Sequence, residues 1–165
     1  MLIGTEISCS NLGVSTNSKQ DEAVHDIAIN RIMTLDPVTV GPEDSIATAR
    51  KLMQAHDIHH LPVVDAGVLV GIFSASDLFK LYPFHKPGAA SDNIKVGQLM
   101  DPEPITVDIF ADLIDVARIL NSGSFHALPV VEAGNALVGI VTTTDLINHL
   151  LMQIPRTAAE SHLTA

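Results

Sequence analysis

Two short segments hold the side chains of this chain that could do chemistry. In Gly71-Ile72-Phe73-Ser74-Ala75-Ser76-Asp77, hydroxyls two residues apart are followed at once by a carboxylate, and Gly139-Ile140-Val141-Thr142-Thr143-Thr144-Asp145 repeats the arrangement. Each segment leaves an apolar stretch that reads as a strand and enters one that reads as a helix. One chemistry for such a junction is local. Ser, Thr and Asp are preferred at helix starts, where backbone N–H groups lack partners. The other chemistry is binding. A helix start offers N–H donors and partial positive charge, which suit a phosphate, and the hydroxyls of Ser74, Ser76, Thr142 and Thr144 add donors. Asp77 and Asp145 would repel phosphate, so they should address a neutral group with two donors, such as the vicinal diol of a ribose. Diol acceptor and phosphate donors together describe a nucleotide, and the recurrence of the motif strengthens that reading over capping alone.

The elements that must position these residues also recur. Arg31–Tyr82 and Gln98–Leu150 are copies of one unit, with Met33 aligned to Met100, Pro37 to Pro104, Leu61-Pro62-Val63-Val64 to Leu128-Pro129-Val130-Val131 and Asp77 to Asp145. One extra residue enters the second copy after Gly134. A unit this short buries only about 60% of its chain surface and is marginal alone. Two copies therefore imply a pair with pseudo-twofold symmetry, and a cleft where they meet is the place to seek function. Within each copy, Val38-Thr39-Val40 and Ile105-Thr106-Val107 predict short opening strands. The first helix is capped at Asp44 or Ser45 and buries Ile46, Ala49 and Met53, while the second carries a stripe of Leu113, Val116, Ala117 and Leu120. The runs His60–Val64 with Val68–Phe73, and Ala127–Val131 with Ala136–Val141, predict hairpins. Asp77-Leu78-Phe79 and Asp145-Leu146-Ile147 then open a further helix. The fold class is α+β, with the order βαββα in each repeat. Residues 1–24 read as a flexible leader, 25–82 as repeat 1, 83–95 as a linker, 96–151 as repeat 2 and 152–165 as a polar tail.

Composition narrows the function classes. In 165 residues, 47% are hydrophobic and the mean hydropathy is +0.31, enough for a substantial core. No apolar run approaches the ~18 residues that span a bilayer, and MLIGTEISCS does not read as a secretory signal. Cys9 is the single cysteine, which excludes an internal disulfide and fits a cytoplasmic location. The net charge of −10 disfavours nucleic acid and acidic membranes as partners. His56, His59, His60 and His126 invite a metal, but neighbouring rings on a strand point to opposite faces, and no native metal site is expected. Met33, Met53, Met100 and Met152, and Phe73, Phe79, Phe110 and Phe125, read as packing residues, with Phe125 able to edge a pocket. Asp112 and Asp115 read as a solvated helix face. No catalytic constellation is present in the sequence, so an enzyme is not expected; only His59, His60 or His126 could serve a small hydrolase or transferase.

The openings at Met33/Pro37/Thr39 and Met100/Pro104/Thr106, the segments His59–Val64 and His126–Val131, and the duplicated hydroxyl-carboxylate motif resemble a tandem pair of cystathionine beta-synthase (CBS) domains, a Bateman module. The resemblance covers about three quarters of the chain. It implies two clefts that take adenosyl ligands (AMP, ADP, ATP or S-adenosylmethionine), a sensing role, and association into homodimers. By matched position, Asp77 and Asp145 would bind ribose, with Ser74, Ser76, Thr142 and Thr144 near ribose and phosphate. Each cleft is completed by the other repeat in this family, so Phe125, His126 and Ala127 would join Asp77, and Ile58, His59 and His60 would join Asp145. Arg31 with Val38, and Gln98 with Ile105, would frame the base. Basic residues after the motif are scarce: Lys80 follows Asp77, but Asn148 and His149 follow Asp145. A helix dipole contributes only about 0.3–1 kcal/mol, so AMP or ADP is favoured over ATP, with the Lys80 cleft better equipped for phosphate. The output would be a separate regulated protein. The alternative is a structural dimerisation or scaffold module with non-functional clefts.

Overall fold

The structure, a computed structural model, describes residues 27–80, 94–123 and 125–154. The leader, most of the linker and most of the tail lie outside these residues. The first repeat comprises β1 (Thr34–Leu35), α1 (Ile46–His56), β2 (His60–Asp65), β3 (Val68–Ser74) and α2 (Ala75–Phe79). The second comprises β4 (Val107–Asp108), α3 (Leu113–Ser122), β5 (Ala127–Glu132), β6 (Ala136–Thr142) and α4 (Thr143–Gln153). This is the α+β pair with pseudo-twofold symmetry that the duplicated sequence requires.

Local chemistry sets these elements. Ser45 caps α1 by accepting from Thr48 N at 3.1 Å, and Asp112 caps α3 by accepting from Ile114 N at 2.7 Å. In the first hairpin Ala66 and Gly67 have φ of 48° and 84°, the double left-handed turn that matches strand twist. The residue inserted in the second copy is absorbed in a short 3-10 turn at Ala133–Asn135, where Gly134 and Asn135 are left-handed. The hairpins run antiparallel, β2 on β3 and β5 on β6, and meet at Val68 opposite Ala136. Asn135 Nδ2 also donates to Leu69 O at 2.7 Å across that junction.

Each repeat is completed by the opening segment of the other. Thr34 and Leu35 pair with Ile140 and Gly139 of β6, while Asp101 bridges Ile72 of β3. Backbone bonds repeat the exchange: Ile29 N donates to Ala111 O at 2.9 Å, and Ile46 N to Ile94 O at 2.9 Å. Accordingly Ile29 and Met33 belong to the core of Val107, Val116, Leu128, Val130 and Val141, and Val96 to the core of Ile46, Ala49, Leu61, Val63 and Phe73. Ile94 and Lys95, assigned by sequence to the linker, are part of this stitching.

The crossing leaves no room at Gly71 and Gly139. A Cβ on Gly71 would lie 2.6 Å from Met100 Sδ and 2.7 Å from Asp101 O; on Gly139 it would lie 2.8 Å from Met33 Sδ and 2.9 Å from Thr34 O. The methionine could move, but the carbonyl belongs to the paired backbone. Gly71→Ala and Gly139→Ala are each expected to lose about 1–3 kcal/mol, read as a lower urea midpoint. Wild-type midpoints for both would contradict the close crossing.

Several sequence expectations are corrected. Val38–Val40 is not a full strand: only Val40 bridges, in parallel, to Val63. In the second copy the strand falls at Val107–Asp108, two residues later than Ile105. The motif helices begin before the aspartates, at Ala75 and Thr143, so Asp77 and Asp145 occupy their third positions. Phe79, Phe110 and Met152 are exposed rather than core, and Phe125 is partly so. Phe79 and Met152 fall at the last turns of their helices, on faces turned from the two cores.

Candidate functional site

Two clefts open along the seam between the repeats. The larger, of about 820 Å³, is walled by Thr34, Asp36, Pro37 and Val38 of the first opening segment, the end of α1, the start of β2, and both hydroxyl motifs. The smaller, of about 400 Å³, lies between the Asp77 motif, the second opening segment and Phe125–Ala127. The larger volume is within the range of small-molecule sites.

At the motifs, the capping chemistry is present in full. Asp77 Oδ2 accepts from Ser74 N and Ser74 Oγ, both at 2.7 Å, and Asp145 Oδ2 accepts from Thr142 N and Thr142 Oγ1, both at 2.7 Å. The carbonyls of His59 and His126 take the first helical N–H, from Ala75 at 2.8 Å and Thr143 at 3.1 Å. Part of the donor set expected to face a phosphate is thus consumed by the protein. The same bonds hold His59 and His126 at the mouths of the helices.

What capping leaves over differs between the motifs. Asp77 is 7% exposed, and its Oδ1 is paired with Lys80 Nζ at 2.6 Å. Among the described residues, Asp145 Oδ1 has no hydrogen-bond or ionic partner, and Asp145 lines the larger cleft. One carboxylate oxygen is therefore available there for a diol. The expectation that Lys80 equips its cleft for phosphate meets an obstacle, because its charge is already matched by Asp77 and its side chain is 61% exposed. The helix behind the motif differs as well: α4 runs eleven residues and α2 only five.

The structure brings most of the sequence candidates together. Val38, Ile58, His59, His60, Ser74, Ser76, His126, Thr142, Thr144 and Asp145 line the larger cleft. Asp77, Lys80, Phe125 and Ala127 line the smaller one, together with Ser74, Ser76, His60 and His126, which form a wall common to both. Arg31 and Ile105 line neither. Arg31 ends a 3-10 turn whose Ile29 is buried, which turns it outward, and Ile105 precedes β4 with 43% of its surface exposed. Gln98 is exposed and also lines neither, so the base-framing pairs do not assemble as such. Pro37, Val38, Ile58 and Ile140 supply apolar surface in the larger cleft instead. His59 and His60 line one cleft although adjacent, because β2 starts only at His60.

Sequence reasoning missed Thr34, Asp36, Asp57 and Thr143 in the larger cleft and Met100, Asp101 and Pro102 in the smaller. Asp36 and Asp57 have φ of 47° and 53° and, unlike Ala66 and Asn135, stand outside the hairpin turns. Left-handed backbone at a non-glycine residue gathers at binding sites. Asp57 is also the left-handed cap that ends α1, its N–H bonded to Met53 O. The alignment of Met33 with Met100 was a signal for Thr34 and Asp101, the residues that follow them.

His60 is held below the ordinary imidazole range, first by burial and then by His126 and His59, with Asp77 pulling the other way. Its ring is therefore neutral near neutral pH. No group of three or more His, Cys, Asp or Glu among the described residues could hold a metal ion, and no helix among them is long and apolar enough to cross a membrane.

The profile of the CBS domain matches residues 25–83 and 96–152. The chain is 34% identical to inosine-5'-monophosphate dehydrogenase of Korarchaeum cryptofilum over 67% of its own length and 22% of that enzyme's. It spans about a third or less of the first two curated relatives it matches. Among solved structures, CBSX2 of Arabidopsis thaliana in complex with AMP is 32% identical, with a TM-score of 0.67 over 76% of this chain and 96% of that one. The CBS domain pair of protein MJ0100, in complex with 5'-methylthioadenosine and S-adenosyl-L-methionine, is 28% identical, with a TM-score of 0.68 over 78% and 98% of the two chains.

Proposed function

The chain belongs to the CBS domain family, and on that premise we propose that it is a non-enzymatic regulatory module that binds an adenosyl ligand in the larger cleft. The observation that carries this reading is Oδ1 of Asp145, without a partner among the described residues and held by the capping bonds at the edge of an 820 Å³ cleft with apolar walls. Ribose would address that oxygen, and the base would lie against Val38, Ile58 and Ile140. AMP or ADP remains favoured over ATP, since each further phosphate meets more uncompensated charge. The AMP, methylthioadenosine and S-adenosylmethionine complexes of the similar structures support an adenosyl ligand. The ligand would act by binding two packings of the module with different affinity. Its output would be a regulated protein, in a cytoplasmic setting.

A homodimer is part of the same proposal. Ile147, Leu150, Leu151 and Ile154 are exposed at helical spacing along and just past α4, a stripe suited to a second copy. The scaffold alternative is favoured by one observation, namely that capping alone accounts for the motif hydroxyls and for Oδ2 of each aspartate. Thermal unfolding with AMP, ADP, ATP or S-adenosylmethionine separates the two. Ligand at 100 times its dissociation constant should stabilise the protein by about 2.7 kcal/mol. No shift with any adenosyl compound leaves the scaffold reading. Native mass spectrometry on the same protein should show a dimer; a monomer would remove that part.

A further inference from the structure

The larger cleft collects charge of an unusual kind. Carboxylates enter it from three elements: Asp36 from the first opening segment, Asp57 from the end of α1 and Asp145 from α4. The groups that can oppose them are imidazoles: His56 beside Asp57, His59 and His60 at the start of β2, and His126 before β5. His60 and His126 also stand in the wall shared with the smaller cleft, where Asp77, Lys80 and Asp101 face them. Lys80 is bound to Asp77 there, so among the described residues the positive charge available to the larger cleft depends on protonation.

We propose that His59, His60 and His126 decide which charge class of adenosyl ligand the larger cleft accepts: a phosphorylated one enters only together with a proton, and an uncharged nucleoside enters without one. The inference rests on the adenosyl-binding reading and concerns specificity within it. A phosphate placed among Asp36, Asp57 and Asp145 is repelled unless an imidazolium lies between them. Burial first, and then repulsion from the neighbouring imidazoles of His126 and His59, holds His60 below its ordinary range. A bound dianion reverses that balance, since opposite charge favours the protonated ring. The bound state then holds protons more tightly than the free state, so binding strengthens as pH falls through the imidazole range. Each proton taken up changes affinity by about tenfold per pH unit within that window. A nucleoside without phosphate brings no such field, and its affinity stays flat.

Calorimetric titration of the full chain tests this. AMP and 5'-methylthioadenosine would be titrated at about pH 6 and about pH 8, where imidazole passes from charged to neutral, in buffers of different ionisation enthalpy. The expected result is an AMP affinity at least about tenfold weaker at the higher pH, with net proton uptake near neutrality, and an unchanged affinity for methylthioadenosine. His59→Gln and His126→Gln, both at exposed positions whose backbone carbonyls keep their bonds, should flatten the AMP profile. Titration of the phosphate itself is identical in wild type and variants, so their difference reports the protein. If a variant unfolds, the wild-type proton count still decides. An AMP affinity independent of pH, a profile untouched by both variants, or a parallel change for methylthioadenosine would overturn the proposal while leaving adenosyl binding in place. Failure of both ligands at either pH would overturn the underlying reading and this one with it.

Discussion

Phe73→Ala is expected to destabilise the protein by about 3–5 kcal/mol, the range for deleting a buried aromatic ring. Phe73 is fully buried in the first core, among Leu61, Val63, Ile46, Ala49 and Val96. Val96 comes from the other repeat's opening segment, so the cavity would loosen the crossing as well as the hairpin. Whole domains are stable by only about 5–15 kcal/mol, and the variant should show a large drop in urea midpoint. Phe73 also precedes Ser74, the cap of α2 and part of the wall common to both clefts, so ligand affinity should fall with stability. Its counterpart is Val141, likewise fully buried. Val141→Ala removes fewer atoms and should cost less. Equal midpoints for wild type and Phe73→Ala would contradict the packing.

Asp145→Ala and Asp77→Ala should separate binding from folding. At Asp145 the side chain gives one oxygen to the cap and leaves the other to the cleft. Removing it should weaken an adenosyl ligand by about 1.5–3 kcal/mol, the range for hydrogen bonds to charged groups, or roughly ten- to a hundredfold. The lost cap should cost about 0.5–2 kcal/mol of stability. At Asp77 both oxygens are engaged within the protein. Its removal strands the part-buried N–H of Ser74, whose hydroxyl keeps its bond with Ser76, so stability should fall by about 1–3 kcal/mol. Little is added for Lys80, whose exposed ammonium is screened by water. Affinity at the larger cleft should change less than in Asp145→Ala. Paired titrations and urea curves on the two variants test this contrast, and matching losses of affinity would contradict the assignment of Asp145 as the ribose acceptor.

Local periodicity and duplication made much of this molecule legible in advance. The cap at Ser45, the buried faces of α1 and α3, and both hairpins follow from interactions within a few residues of one another, which spacing reports directly. Asp112, which by sequence reads as part of a solvated helix face, is instead the half-buried cap of α3. The second turn was legible too, since one inserted residue must be absorbed between strands whose register then resumes. Solvent exposure was less so. Phe110 and Phe125 are as apolar as Phe73, and only the number of layers around a side chain decides whether it is covered.

What the sequence by itself determined is the pair: two copies of one βαββα unit, and a hydroxyl-carboxylate motif at the same point in each. Only the tertiary structure decided how the copies divide their labour. Crossing the opening segments placed Thr34 and Asp36 in one cleft and Asp101 in the other and joined His60 and His126 into a common wall; Lys80 is bound to one aspartate, while an oxygen of the other has no partner among the described residues. These are contacts between segments tens of residues apart, fixed by packing and charge in space, and two motifs of equivalent sequence acquired different chemistry from them.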